Sequence, residues 1–179
     1  LRHGEGRKQT GRRDDGSEAD VGEAGELWVS SAGLMTEYLG DAASTAEALQ
    51  DGWLASGDVA IMDEGGIVTI VDRKKNMVIS GGENIYCAEV ERVLGEMQKV
   101  QECAAFGVPD ERLGEMLVCV VRAEGVSEDQ VVRWVAERLA KYKAPGRVAF
   151  ADETLPRNHV GKVDKIALRA RWNEIYGAK

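Results

Sequence analysis

The pattern of apolar and polar residues is clearest in the middle of the chain. The apolar, β-branched run 67–71 predicts a buried strand, and 77–79 resumes the strand pattern after five polar residues. The glycine pair Gly81-Gly82 follows, and glycine both tolerates positive φ and lets another molecule approach the backbone closely. A helix is then predicted to begin near Ala88, because apolar residues recur at helical spacing: Val90, Val93, Leu94 and Met97. By pattern alone, this stretch predicts a hairpin followed by a crossover to a helix.

The flanking segments predict further strands and helices. Residues 22–30 predict a strand after a glycine turn. Ser127 with Gln130 forms a capping box at the start of an amphipathic helix. More strands are predicted at 101–106, 116–121 and 147–152, and a last helix at 164–176 with Ile166, Ala170 and Trp172 among its buried candidates. Interleaved strands and helices predict an α+β fold, with helices packed on a small sheet.

Composition limits the classes of protein that fit. The 179 residues are 44% hydrophobic and 30% charged, as in globular proteins. A net charge of −8 argues against a dedicated nucleic-acid binder, which must neutralise phosphates. Three cysteines without C-x-x-C spacing favour buried thiols in a reducing compartment over a disulfide framework or metal site. Two histidines argue against a histidine-based metal cluster. Without a signal-peptide pattern or a membrane-length apolar run, we expect a cytoplasmic protein.

The first twenty residues have a different composition from the rest. They are rich in glycine and in charges of both signs, so they predict a flexible, solvated arm over residues 1–21. The pair Arg12-Arg13 is followed at once by Asp14-Asp15, which argues against a phosphate-binding patch. Because the chain starts at Leu1 rather than Met, we also expect a fragment of a longer protein.

The central stretch resembles a known hinge. Residues 70–91, IVDRKKNMVISGGENIYCAEVE, are similar to the hinge segment of the adenylate-forming acyl-CoA synthetases and ligases. In that family the large N-terminal domain ends here and a small mobile domain begins. The resemblance implies that Arg73 contacts the nucleotide ribose, that Lys75 is the hinge, and that Gly81 and Gly82 lie beside the pantetheine arm of coenzyme A. Cys87 stands where proline is usual, which affects helix entry rather than chemistry.

A second motif precedes the hinge, after two segments, 34–39 and 44–49, that resemble the family's short helical connection. Residues 51–58, DGWLASGD, resemble the family motif DGWLxTGD, with Ser56 in place of the usual threonine. The resemblance implies that the carboxylate of Asp58 accepts hydrogen bonds from both ribose hydroxyls of the nucleotide. An ionised carboxylate suits this role because it is acceptor-only and can take two donors at once.

A third motif lies near the C-terminus. Residues 155–165, LPRNHVGKVDK, resemble the family's LPRxxxGKVxK loop, which implies that Lys162 is the adenylation catalyst. A compact ammonium suits that task, because negative charge builds on the α-phosphate and attacking carboxylate as they meet. His159 is expected to be a bystander. Residues 141–145 resemble the YKxP segment, but we interpret them as a helix end with favourably placed cations.

The resemblance implies a domain organisation and a reaction. Residues 22–74 would be the β-rich end of the large AMP-binding domain, and 75–179 the small mobile domain with a mixed sheet. A carboxylate would attack ATP to give an acyl-adenylate and pyrophosphate, and the thiol of coenzyme A would then displace AMP. The small domain would swing about Lys75 between the steps. Magnesium would arrive with ATP, since no protein ligand for it is identified.

Parts of the family's machinery are missing from the sequence, and alternatives stay open. No Ser/Thr/Gly-rich phosphate loop is present, and the acyl pocket lies upstream in the family, so we expect this chain to be inactive without the large domain. A carrier-loading or luciferase-like adenylating enzyme would keep the first step and change the second, although ISGGENIY favours coenzyme A. A non-catalytic binding module derived from the family is the third possibility. The carboxylate substrate cannot be read from the sequence.

Overall fold

The computed structural model describes residues 8–176, apart from the side chains at positions 173, 175 and 176. The chain forms two compact units, Leu1–Lys75 and Asn76–Lys179. The boundary between them follows Lys75, the residue expected to act as the hinge. That the domains divide there in function, and that one moves about Lys75, stays a prediction.

The first unit is built on an antiparallel sheet. Within residues 8–75 the sheet has five strands: β1 (Lys8–Arg12), β2 (Ala24–Ser30), β3 (Leu49–Gln50), β4 (Trp53–Met62) and β5 (Val68–Arg73). β4 lies in the middle, because β2 pairs along one of its edges while β3 and β5 pair along the other. One short helix, α1 (Ala42–Ala48), precedes β3, whereas residues 34–39 form bends and irregular backbone rather than the expected helix.

The structure differs from the expected flexible arm over residues 8–21. β1 pairs with β2 at five positions, from Lys8 opposite Ser30 to Arg12 opposite Glu26. The following loop is held by Arg13, which forms ion pairs with Asp20 at 2.8 Å and with Glu23. Backbone pairing and ion pairs therefore order a segment that has little apolar surface to bury. Residues 1–7 of the expected arm lie outside the described part of the chain.

The second unit is an α+β domain with a mixed sheet, as expected from the sequence. Its strands are β6 (Val78–Ser80), β7 (Glu83–Ile85), β8 (Val100–Asp110), β9 (Gly114–Ala123) and β10 (Arg147–Phe150). β10 runs parallel to β9, and the other pairings are antiparallel. The helices are α2 (Cys87–Gly95), α3 (Glu128–Ala136) and α4 (Lys165–Tyr176). One 3-10 turn lies at Lys141–Lys143, and another, Lys74–Asn76, begins at the end of the first unit.

Helices cover the sheet of the second unit through two apolar clusters. In one cluster α2 and α3 pack against the sheet through buried residues that include Val90, Leu94, Val131 and Val135. In the other, α4 packs against neighbouring strand positions, and Trp172 meets Phe106 edge to face at 5.8 Å between ring centroids. Residues of β8 and β9 alternate between the clusters, as expected for strands buried on both faces.

Several details of the second unit test the sequence analysis. The capping box is confirmed: Ser127 Oγ accepts the N–H of Gln130, and Gln130 Oε1 accepts the N–H of Ser127 at 2.9 Å. β8 and β9 are longer than predicted, so residues 107–115 are mostly strand with a turn only at 111–113. Within the described chain, no helix is long and apolar enough to cross a membrane.

The buried face of α4 was predicted only in part: Trp172 is buried as expected, but the other two candidates are exposed. Ile166 is 81% exposed and Ala170 is also exposed, whereas Leu168 and Trp172 are buried. Leu168 and Trp172 are four residues apart and so lie on one face of the helix, which sequence periodicity alone did not single out.

The expectation of buried thiols holds for Cys87 and Cys119, and burial raises the pKa of the half-buried Cys103 thiol to about 11.

Candidate functional site

The two residues expected at the nucleotide ribose lie side by side in the first unit. Asp58 on β4 is the register partner of Arg73 on β5, and Arg73 Nη1 lies 2.8 Å from Asp58 Oδ1. The guanidinium is half-exposed, whereas the carboxylate is 21% exposed. The pairing holds the carboxylate in one place and leaves acceptor capacity on its oxygens for further donors. Binding to ribose itself stays a prediction.

The residues just before Asp58 shape the backbone around it. Gly57 has a φ of +69°, a left-handed conformation that favours glycine, and a Cβ at this position would lie 3.6 Å from Arg73 Nη2. The hydroxyl of Ser56 accepts the N–H of Asp58 at 3.1 Å. The replacement of the family's threonine by serine therefore keeps the group that makes this hydrogen bond. An open cleft beside the motif is lined in part by Ser56, Gly57 and Trp28.

Lys74 forms an ion cluster that sequence reasoning missed. Its Nζ lies 3.0 Å from Glu26 Oε2 on β2 and 3.1 Å from Asp14 Oδ1 in the loop after β1. Partial burial opposes the charged ammonium, but the hydrogen bonds to the two carboxylates outweigh it and raise the pKa of Lys74. Lys75, the expected hinge, is exposed. Lys74 is thus tied to the first unit, one residue before the predicted pivot.

Gly81 and Gly82 form the two-residue turn between β6 and β7. Their φ values are +60° and +87°, as a type I′ hairpin turn requires at both central positions. The N–H of Gly81 also donates to the carbonyl of Leu113 at 2.8 Å. Turn geometry alone therefore explains two glycines here. A Cβ on Gly82 would meet no atom within 4 Å in the described chain, so its backbone is open to approach. Contact with coenzyme A stays a prediction.

Lys162 lies exposed at the end of a tight loop organised by Asn158. Asn158 Oδ1 accepts the N–H groups of Val160 at 3.1 Å and Lys162 at 3.0 Å, and the N–H of Asn158 donates to the carbonyl of Lys162 at 2.8 Å. Gly161, with φ at +81°, turns the chain just before the lysine. Among residues 8–176, no hydrogen bond or ion pair engages Lys162 Nζ, so the ammonium is free to meet a ligand. His159 is exposed in the same loop.

Contacts with Glu102 on β8 fasten this loop to the sheet. Arg157 Nη2 contacts Glu102 Oε1 on β8, and Arg157 Nη1 donates to the carbonyl of Gly161 at 2.9 Å. Glu102 also accepts the N–H of Leu155 at 3.1 Å. Sequence reasoning had assigned no role to Glu102, which is 55 residues from Arg157.

Comparison with known proteins identifies the second unit. Residues 89–162 match the family model described as the AMP-binding enzyme C-terminal domain. The chain carries the C-terminal domain of the AMP-binding enzymes. This family is the one that the motifs predicted. The expected site residues, however, are not tested by the match itself.

The relatives of this AMP-binding enzyme domain differ in the acids that they are named for. The chain is 48% identical over 164 residues to a Rhodococcus jostii protein named 3-[(3aS,4S,7aS)-7a-methyl-1,5-dioxo-octahydro-1H-inden-4-yl]propanoyl:CoA ligase, covering 89% of this chain and 32% of the relative. It is 43% identical over 164 residues to the long-chain-fatty-acid–CoA ligase FadD13 of Mycobacterium tuberculosis, covering 90% of this chain and 32% of that protein. The chain thus spans about a third of the length of these relatives.

Among solved structures, the fold is similar to that of the amide bond synthetase McbA from Marinactinospora thermotolerans. The TM-score is 0.83 at 33% identity, over 94% of this chain and 34% of that one. Proteins that share this part of the family therefore include one named for amide formation and others named as CoA ligases.

Proposed function

We propose that this chain is the C-terminal part of an ATP-dependent acyl-CoA synthetase. The reaction is carboxylate plus ATP plus coenzyme A to acyl-CoA, AMP and pyrophosphate, through an acyl-adenylate. The observation that carries the proposal is the pairing of Asp58 with Arg73 at 2.8 Å, within a chain that aligns over 89% of its length with a CoA ligase. These two residues, 15 positions apart in the chain, are both expected at the nucleotide.

In the adenylation step, Asp58 and Arg73 hold the nucleotide. The Asp58 carboxylate accepts hydrogen bonds from the ribose hydroxyls, and the half-exposed Arg73 guanidinium keeps that carboxylate oriented. Lys162 then stabilises the negative charge that develops between the attacking carboxylate and the α-phosphate. Its exposed position on an ordered loop supports this role, because the ammonium can reach a ligand while its backbone stays fixed.

In the thioester step, the second unit changes its orientation about Lys75 and presents the Gly81-Gly82 turn to the pantetheine arm. The open space at Gly82 supports this assignment, because a Cβ there would meet no atom within 4 Å in the described chain and the turn exposes backbone without side chains. ATP or AMP and coenzyme A are the cofactors. Magnesium is bound through ATP, and no group of residues in the described chain has the arrangement of a metal site. We place the reaction in the cytoplasm.

The chain requires the family's large N-terminal domain as its partner. Its relatives are about three times longer, and the sequence contains no phosphate loop. The large domain supplies the remaining ATP contacts and the acyl pocket. The identity of the carboxylic acid therefore depends on residues outside this sequence, which fits the different acids for which the relatives are named.

A second candidate changes only the acceptor. The similarity to an amide bond synthetase favours an amine as a possible nucleophile in place of the coenzyme A thiol. Carrier-loading and luciferase-like enzymes are further variants of the same first step. All of them keep the roles of Asp58, Arg73 and Lys162 and differ in what attacks the acyl-adenylate.

The test joins residues 1–179 to a large domain of the family and supplies carboxylates with ATP. We expect acid-dependent exchange of pyrophosphate into ATP, and acyl transfer to coenzyme A rather than to amines or a carrier protein. Residues 1–179 alone should show no exchange. Exchange without transfer to coenzyme A would favour the second candidate. A fusion that binds nucleotide but catalyses no exchange would support a non-catalytic binding module.

A further inference from the structure

Glu102 is a mostly buried acceptor for three donors. Its side chain is 13% exposed and lies on β8, opposite Arg122 on β9. One carboxylate oxygen accepts the N–H of Leu155 at 3.1 Å and Arg122 Nη1 at 3.2 Å, and the other accepts Arg157 Nη2. Burial opposes the charged carboxylate, but these donors outweigh it and lower the pKa of Glu102.

Arg157 carries the connection from Glu102 into the loop. Its other terminal nitrogen donates to the carbonyl of Gly161, the residue before Lys162, and its backbone is bridged to Val163 on the far side of the loop. One guanidinium therefore joins the sheet, through Glu102, to the end of the loop. The N–H of Leu155 fixes the start of the same loop to the same carboxylate.

The inner shape of the loop has a separate cause. Asn158 makes the hydrogen bonds that close the turn from Asn158 to Lys162, and none of these involves Glu102 or Arg157. Losing the contact between Glu102 and Arg157 would therefore leave the turn intact and loosen its attachment to the sheet. The lysine would then be displaced together with its turn.

We propose that Glu102 and Arg157 are positioning residues, which hold the Lys162 loop in a fixed place on the sheet of the second unit. This inference rests on the proposed function, because it assigns the pair a part in adenylation. Catalytic groups act through closely defined geometry, and a displacement of about 1 Å can cost about 10²-fold in rate. An ion pair on a β-strand is a more rigid anchor than the loop itself.

The first test uses residues 1–179 and needs no catalysis. In Glu102→Gln the side chain keeps its size and an acceptor for the N–H of Leu155 but loses its charge. Native-state trypsin cleavage after Lys162 is measured relative to cleavage after Arg112, in the turn between β8 and β9. We expect the ratio of cleavage after Lys162 to cleavage after Arg112 to rise about tenfold or more, because the loop loses a hydrogen bond between charged groups. Arg92→Gln, which removes the exposed Arg92–Glu96 pair on α2, is the matched control and should leave the ratio unchanged.

The second test uses the fusion with a large domain and separates positioning from folding. Glu102→Gln and Arg157→Lys should lower kcat for adenylation about 10–100-fold with little change in KM for ATP, since Asp58 and Arg73 are untouched. Thioester formation from preformed acyl-adenylate should stay near the unmutated rate. Arg157→Lys keeps the charge but lacks the planar fork that donates to both Glu102 and Gly161, so it should not preserve the adenylation rate.

These outcomes separate the inference from the proposed function. An unchanged cleavage ratio in Glu102→Gln would overturn the anchoring role, whatever the enzyme does. Equal losses in both half-reactions, or a loss that follows Tm, would show a purely structural pair and also overturn the inference. A fusion without any adenylation would refute the proposed function, while the cleavage assay would still decide whether the pair anchors the loop.

Discussion

Replacing Lys162 by alanine is the most direct test of the catalytic assignment. The side chain is exposed, and the hydrogen bonds of residue 162 to Asn158 come from its backbone, so alanine preserves the turn. We expect the free energy of unfolding to change by less than about 0.5 kcal/mol, as for exposed residues without special contacts. Adenylation should fall about 10²–10³-fold, or roughly 3–4 kcal/mol, the usual cost of removing one preorganised charge-stabilising contact.

The assay is single-turnover kinetics with the chain fused to a large domain. One reaction starts from ATP plus acid, and the other from preformed acyl-adenylate plus coenzyme A. Lys162→Ala should slow the first reaction and leave the second unaffected, because the ammonium is needed only while the carboxylate attacks the α-phosphate. Lys162→Arg should rescue it incompletely, because a planar guanidinium does not reproduce a compact point charge.

His159→Ala is the matched control, since it removes another exposed side chain from the same loop. It should leave both half-reactions unchanged. If Lys162→Ala slowed the second reaction as steeply as the first, Lys162 would not be the adenylation lysine. The proposal that the second unit changes orientation between the two steps would then lose its support.

Three further predictions address the other assigned residues. Lys75→Pro fixes φ near −65° and removes a backbone donor, so it should restrict the orientations that the second unit can adopt. One half-reaction should then suffer far more than the other in single-turnover assays. Equal losses would count against Lys75 as the pivot. Asp58→Asn keeps the shape of the side chain but loses its second acceptor oxygen and the charge opposite Arg73. KM for ATP should therefore rise about 10–100-fold. An unchanged KM would show that Asp58 does not bind the nucleotide. Gly81→Asn keeps the type I′ turn, and its Cβ need only displace the flexible Leu113 side chain, 3.3 Å away. Tm should therefore change little, while thioester formation slows. An unaffected rate of thioester formation would show that the glycines serve the turn alone.

Much of the second unit could be predicted from local sequence. The capping box at Ser127, the helix after residue 86 and the glycine turn depend on neighbours within a few positions, so their signals are contained in short windows. In the first unit, the motif around Asp58 pointed to the carboxylate that the structure pairs with Arg73. The two residues meet because β4 and β5 are adjoining strands of one antiparallel hairpin.

The sequence by itself therefore determined the family, the α+β class, most elements of the second unit in their order and the candidate chemical groups, because each is encoded in local pattern or motif. Only the tertiary structure decided which distant groups meet. Glu102 reaches Arg157 across 55 residues and Lys74 reaches Glu26 across 48, through tertiary contacts that no local pattern specifies. The ordering of β1 and the burial of Leu168 rather than Ile166 have the same cause: each depends on the surface against which the segment packs.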